Sequence, residues 1–328
     1  MASTTLTENT FSHSGDKTTF YWSAGPSQGP LVIFIHGWPA NGDVPKETSA
    51  YALEHHVSDM LALLAHLGRD KAVWIGHDWG AGLVWGFAAQ HPEKCVGVCC
   101  MTVPYHVLEH GLEGLVALSN RELYPEDQYP LAQWDYQAFH TEQPEASASQ
   151  LAANVTNTVK LLYRGGSPQT YGKPAFTASL RKTGGWFGGL PEAPDTPFES
   201  TLFKDDKPAF DRMVAEFEKN GFEGPNDYYR NHPANKAYAL KAPNGGRLSY
   251  PVLFVEARWD SVCDTSISRL SEPMRELCDD LTEVSIEAGH WVAMEEPEET
   301  SAALVRWIAQ KLPTHFPGYW KTPFVSRK

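Results

Sequence analysis

Apolar positions along this chain alternate between two spacings. Short apolar runs at 18–22, 31–35, 72–75, 96–103, 251–255 and 281–286 read as strands, and the Gly25-Pro26 and Gly29-Pro30 pairs mark the turn between the first two. Between the runs at 31–35 and 72–75, Leu53, Val57, Met60, Leu61, Leu64 and Leu67 recur on one helical face. Gly68 is placed to end that helix. A second helix is expected from Trp79 to about Gln90. A third spans 296–312, with Pro297 in its first turn and acidic residues at its positive end. The strand–helix–strand–helix–strand rhythm of the first third predicts an α/β fold with a doubly wound, mostly parallel sheet.

The rhythm stops after Pro104. Residues 106–245 carry helical and loop-like patterns with Gly-rich pieces such as 183–189, but no strong strand, and strand signals return at 251. The expected organisation is one core in two parts, residues 1–105 and 246–328, interrupted by a mostly helical cap at 106–245. A chain of 328 residues buries roughly 75% of its unfolded surface, so its core needs no disulfide or metal staple.

Composition narrows the partners. A net charge of −13 with scattered Lys and Arg argues against nucleic acid, whose phosphates require clustered cations. The five cysteines, Cys95, Cys99, Cys100, Cys263 and Cys278, are an odd number in apolar contexts and read as buried free thiols in a reducing, cytoplasmic compartment. No apolar run reaches the roughly 20 residues of a membrane span, and the first ten residues lack the pattern of a secretion signal. His55-His56 and the pair His106 and His110 lack the spacing and neighbours of a zinc motif and read as structural. No cofactor or metal is expected.

The strongest chemical signal is Gly76-His77-Asp78-Trp79-Gly80, between the strand at 72–75 and the helix that follows. Glycines flanking a strand-to-helix turn frame a nucleophile elbow, whose central side chain stands exposed at the carboxyl end of the sheet. That side chain is a carboxylate, which attacks saturated carbon rather than an acyl group. In this topology an acid and a histidine follow in chain order. Asp260 lies just past the strand at 251–255, with Asp264 as a competing acid, and His290 lies just past the strand at 281–286. An Asp that merely caps a helix would be the plain structural alternative for Asp78.

These residues carry a resemblance. His36-Gly37-Trp38-Pro39, His77-Asp78-Trp79-Gly80, Asp260-Ser261-Val262 and Gly289-His290-Trp291 are similar to the motifs of the soluble, cap-bearing epoxide hydrolases of the α/β-hydrolase superfamily. The resemblance covers nearly the whole chain. Two cap segments extend it: Trp134-Asp135-Tyr136-Gln137 and the run from Gly224 to Asn231, which holds Tyr229 before Arg230. It implies hydrolysis of a small-molecule epoxide by water to a diol. Asp78 would form a covalent alkyl ester, Tyr136 and Tyr229 would stabilise the epoxide oxygen, and His290, oriented by Asp260, would activate water. The backbone N–H groups of Trp38 and Trp79 would form the oxyanion hole, and Pro39 would be cis.

The chain departs from that family in one place. Between Pro39 and Tyr51 only eleven residues, 40–50, remain, too few for the dozen or more of a parallel crossover. A block of about 30 residues, the size of a βαβ unit, is missing, so one strand and one helix of the usual core are expected to be absent. The strand at 31–35 would then lie beside that at 72–75. The N-terminal hairpin at 10–23 would move inward to pair with 31–35, and apolar surface would be bared. Two other functions compete: a haloalkane dehalogenase, which shares the elbow aspartate but does not need the tyrosine pair, and a catalytically impaired hydrolase-like protein.

Overall fold

The structure is a computed structural model and describes residues 5–13, 17–39 and 45–316, so residues 40–44 of the shortened segment lie outside it. The described residues form seven strands: β1 (Thr7–His13), β2 (Lys17–Ser23), β3 (Val32–Ile35), β4 (Ala72–His77), β5 (Cys95–Met101), β6 (Leu248–Ala257) and β7 (Cys278–Ile286). Strands β3 to β7 make one sheet in the order β3-β4-β5-β6-β7, all parallel, with Val32 opposite Val73 and Val98 opposite Val252. Parallel strands are covered on both faces, which explains their continuous apolar runs. Val73, Ile75, Cys99 and Val255 pack on one face with Trp307 of the helix Pro297–Lys311. Ala72, Trp74, Val98, Cys100 and Phe254 belong to the core on the other, with Val57 of the helix Leu53–His66 and Trp85 of Trp79–Gln90. All five cysteines are buried and free.

The N-terminal hairpin does not do what the sequence suggested. Strands β1 and β2 pair only with each other, antiparallel, as a separate sheet. The hairpin has one face carrying Phe11, His13, Lys17 and Tyr21, and that face is spent on the helix Leu53–His66. Phe11 stacks on His66 at 4.4 Å, and Lys17 pairs with Asp59 at 3.0 Å. The β3 edge is therefore left without a partner strand among the described residues. Phe34 in β3 is 66% exposed, and Phe20 and Trp22 on the hairpin's other face are about half exposed.

The shortened segment is held by the region between β5 and β6 instead. The Asn231 amide donates to the Thr48 carbonyl at 2.8 Å, Asn235 accepts from the Leu53 N–H at 2.7 Å, and Tyr51 meets Tyr228 edge to face. Between β5 and β6 the described structure is helices, turns and one isolated bridge, Arg164 to Thr201. No helix among the described residues is long and apolar enough to cross a membrane.

Candidate active site

Asp78 follows β4 directly and has φ 56° and ψ −127°, a conformation costly for any residue but glycine. The neighbours make it possible. A Cβ on Gly76 would run into the Gly80 carbonyl, and one on Gly80 would run into the backbone of Ile35 and His36, so only glycine fits at either position. The Asp78 side chain makes no capping bond to the helix it precedes. The plain helix-cap role is thereby excluded.

His290 and Asp260 converge on Asp78 from the ends of β7 and β6. The Asp260 carboxylate lies 2.7 Å from His290 Nδ1, and His290 Nε2 lies 3.4 Å from Asp78 Oδ2. The other Asp260 oxygen accepts from the N–H groups of Val262 and Cys263. Burial works against the Asp260 charge, but His290 and those two N–H groups outweigh it and lower the pKa. Burial likewise opposes protonation of His290, and the Asp260 and Asp78 carboxylates together raise its pKa well above the ordinary value. Asp264 does not reach the imidazole in any contact. It accepts from Gln133 at 2.9 Å, and burial raises its pKa to about 7. Of the two candidate acids, Asp260 is the one in contact with the imidazole.

The Trp38 N–H donates to Asp78 Oδ1 at 2.6 Å, and the Trp38–Pro39 peptide is cis. Trp79 opens the helix Trp79–Gln90, where a first N–H has no acceptor within its own helix. Of the two expected backbone donors, Trp38 is the one seen to touch the carboxylate.

Tyr136 and Tyr229 meet with ring centroids 5.3 Å apart, and their phenol groups interact. Tyr136 lies on the helix Asp135–Glu142, whose first residue binds Arg181 at 2.7 Å. Tyr229 lies in the turn Tyr228–Arg230, held by Arg230 on Asp227 and by Asn231 on the Asp227 carbonyl. Tyr229 also meets Trp38 at 6.0 Å and Trp79 at 5.4 Å, both edge to face. Burial raises both phenol pKa values far above the usual range, so both hydroxyls remain protonated donors. The five side chains predicted from sequence thus stand in one site, four of them buried and His290 partly exposed.

Two further residues hold that site and went unnoticed in the sequence. His77 binds the His290 carbonyl through Nε2 at 2.7 Å. The Glu295 carboxylate accepts from the N–H groups of Gly166 at 2.7 Å, Gly289 at 2.8 Å and Trp291 at 3.1 Å. Gly166 and Gly289 approach so closely that a Cβ on either would collide with the other's Cα. The Trp291 indole donates to the Leu162 carbonyl and stacks on Tyr163. The loop bearing His290 is therefore clamped to residues 162–166. A glutamate five positions past a histidine carries no sequence signal for this; the GHW motif was the only pointer. Among the described residues, no group of His, Cys, Asp and Glu is arranged to hold a metal ion.

Comparison with known proteins agrees with this fold. Residues 40–297 match the sequence profile of the alpha/beta hydrolase fold family. The chain is 30% identical over 279 residues to bifunctional epoxide hydrolase 2 of Sus scrofa, covering 85% of this chain and 46% of that protein. It is 24% identical over 321 residues to epoxide hydrolase A of Mycobacterium tuberculosis, covering 87% and 92%. The chain spans about half the length of the mammalian relatives it matches. Epoxide hydrolase A of Mycobacterium thermoresistibile superimposes with a TM-score of 0.71 at 24% identity, covering 93% of this chain and 99% of that one. An epoxide hydrolase of Vigna radiata superimposes with 0.68 at 21% identity, covering 93% and 98%. At these identities the structural likeness speaks for the fold.

Proposed function

Because the chain belongs to the α/β-hydrolase fold family, we propose that it uses the elbow carboxylate to hydrolyse epoxides to vicinal diols. The observation that carries this reading is a carboxylate, not a hydroxyl, at the elbow beside two protonated phenols. The names of the relatives support it.

In this reading the two Asp78 oxygens have separate tasks. Oδ1 is held by the Trp38 N–H, so Oδ2, on the His290 side, is the oxygen that attacks. Attack forms the Oδ2–carbon bond and breaks the ring carbon–oxygen bond. Tyr136 and Tyr229 donate hydrogen bonds to the oxygen as it gains charge. The product of this step is an alkyl ester on Asp78 whose carbonyl oxygen, Oδ1, already faces the Trp38 N–H.

Hydrolysis then needs a base. In the free enzyme the imidazole sits between two carboxylates, which favour its protonated form. Ester formation makes Asp78 neutral and removes one of those charges, so the proton affinity of His290 falls; the ring gives up its proton, which ends on the ring-opened oxygen, and the neutral ring can then take a proton from water. The resulting hydroxide adds to the ester carbonyl, the acyl–oxygen bond breaks, and the diol leaves with the original Oδ2. The proton that His290 gave to the ring-opened oxygen is thus restored from water, and the second water proton leaves with Oδ2 in the diol.

The test is diol formation from a panel of aryl and alkyl epoxides, followed by single turnover in oxygen-18 water. Label is expected in Asp78 and not in the first-turnover diol, and Asp78→Ala is expected to be inactive. Label in that first diol rules out the ester route. Faster halide release from haloalkanes than diol formation from epoxides favours the dehalogenase reading.

A further inference from the structure

Beside the tyrosine pair lies an aromatic cage containing two unpaired hydrogen-bond donors. His140, on the same helix as Tyr136, is fully buried and stacks on Tyr229 at 4.6 Å with the rings 7° from parallel. Trp186 stacks on Trp38 at 5.4 Å and stands 6.0 Å from Tyr136. The His140 and Trp186 ring centroids are 5.5 Å apart. His140 Nε2 and Trp186 Nε1 are both buried and have no hydrogen-bond partner among the described residues.

The protonation of His140 follows from its other nitrogen. The Trp38 indole can only donate, and it does so to Asn226 Oδ1 at 3.0 Å. That orients the Asn226 amide so that its nitrogen faces Ser147 Oγ at 3.5 Å. The Ser147 hydroxyl has no other acceptor among the described residues, so its O–H is assigned to His140 Nδ1 at 2.7 Å. The proton of the neutral ring therefore sits on Nε2. Burial holds the ring neutral, lowering its pKa to about 3. The cage thus presents two neutral N–H donors, a costly arrangement unless a ligand supplies an acceptor.

We propose that His140 and Trp186 form a polar subsite that recognises a neutral acceptor oxygen on an aryl epoxide, an ether or carbonyl close to the oxirane. The inference rests on the epoxide-hydrolase reading and names its substrate class. The aromatic walls suit the aryl group. The acceptor is neutral rather than a carboxylate because both donors are uncharged and buried, and neither can compensate a negative charge. A site built around buried donors disfavours an analogue that lacks the acceptor, because its N–H groups then stay unpaired.

The experiment compares three matched pairs of aryl epoxides, each an ether and its methylene isostere, with the ether oxygen two, three or four bonds from the oxirane. Each kcat/KM is measured for the wild type, His140→Phe and Trp186→Phe. Comparing one pair across the three proteins cancels the ether's inductive effect on the ring. In at least one pair, the wild-type preference for the ether is expected to fall about three- to tenfold in each variant, the size of one net neutral hydrogen bond, and mainly through KM. Turnover of the methylene partner and circular dichroism report whether each variant is folded. An ether preference that survives both substitutions in all three pairs overturns the subsite while leaving epoxide hydrolysis standing. If the wild-type protein opens no epoxide at all, both readings fall together.

Discussion

The backbone N–H of Trp38 donates to Oδ1 of Asp78 at 2.6 Å, across forty residues of sequence and the gap between β3 and β4. The short connection of eleven residues between Pro39 and Tyr51 does not prevent this contact. Strand β3 still runs parallel to β4, with Ile35 opposite Gly76, and that register delivers the loop that follows β3 to the elbow.

Replacing either phenol should act on ring opening. Tyr136→Phe and Tyr229→Phe are each expected to slow alkylation of Asp78 by about 10²–10³-fold, the usual cost of losing an oxyanion donor. Hydrolysis of an ester already formed should slow far less. Rapid-quench measurement of the ester separates the two steps, and wild-type epoxide turnover in both variants would remove the tyrosines from the mechanism.

His290→Gln should open the ring and then stall, because general-base assistance is commonly worth 10²–10⁴-fold. Intact-protein mass spectrometry should show an adduct of substrate mass. In the native enzyme the ester-hydrolysis rate should rise with pH as the imidazole loses its proton. That rise should be centred below the His290 titration of the free enzyme, where the Asp78 charge still raises the pKa. A hydrolysis step that is flat with pH, or a folded variant without adduct, would show that His290 is not the base.

Glu295 is expected to be a positioning residue. Glu295→Ala removes the acceptor of three N–H groups and loosens the loop that aims His290. Since a displacement of about 1 Å can cost on the order of 100-fold in rate, ester hydrolysis should slow more than alkylation. Asp and Gln at this position should recover part of that loss. Equal slowing of both steps would mean a general loss of structure.

Asp264→Asn should change stability without stopping turnover. The folded-state pKa of Asp264 is raised to about 7, while an unfolded carboxyl titrates near its ordinary value of about 3.9. Between those values the folded protein holds the proton that the unfolded chain releases, so stability falls as pH rises through that window. The Asn variant should lose this slope in thermal melts from pH 4 to pH 8. Loss of activity in Asp264→Asn with Asp260→Asn still active would reverse the assignment of the acid.

The open edge of β3 should make the chain prone to association. Phe34→Lys places a charge on that edge, where 66% of the native side chain is already exposed. Light scattering at rising concentration should show less self-association while epoxide turnover is kept. Unchanged association would direct attention to Phe20 and Trp22.

Much of this site was legible in the residues because its chemistry is local. The elbow needs glycine at positions 76 and 80 for backbone clearance, so a sharp turn with Asp78 at its apex could be read from five letters. The parallel sheet was equally legible, since strands buried on both faces have continuous apolar runs. Asp260 and His290 were found because each follows a strand that ends at the same edge of the sheet.

Other features depend on packing between distant segments, which no spacing in the chain records. The hairpin at Thr7–Ser23 carries a face that suits either a strand edge or a helix, and only the position of His66 and Asp59 directed it to the helix. Asp260 and Asp264 are equivalent as letters four residues apart. They differ because one reaches an imidazole and the other is buried against Gln133. The Glu295 clamp requires Gly166 and Gly289, 123 residues apart in sequence, to touch. The chain of polar contacts from His140 through Ser147 and Asn226 to Trp38 likewise joins three regions of the chain. Local backbone geometry is written in adjacent residues; a hydrogen bond between remote segments exists only after the chain has closed.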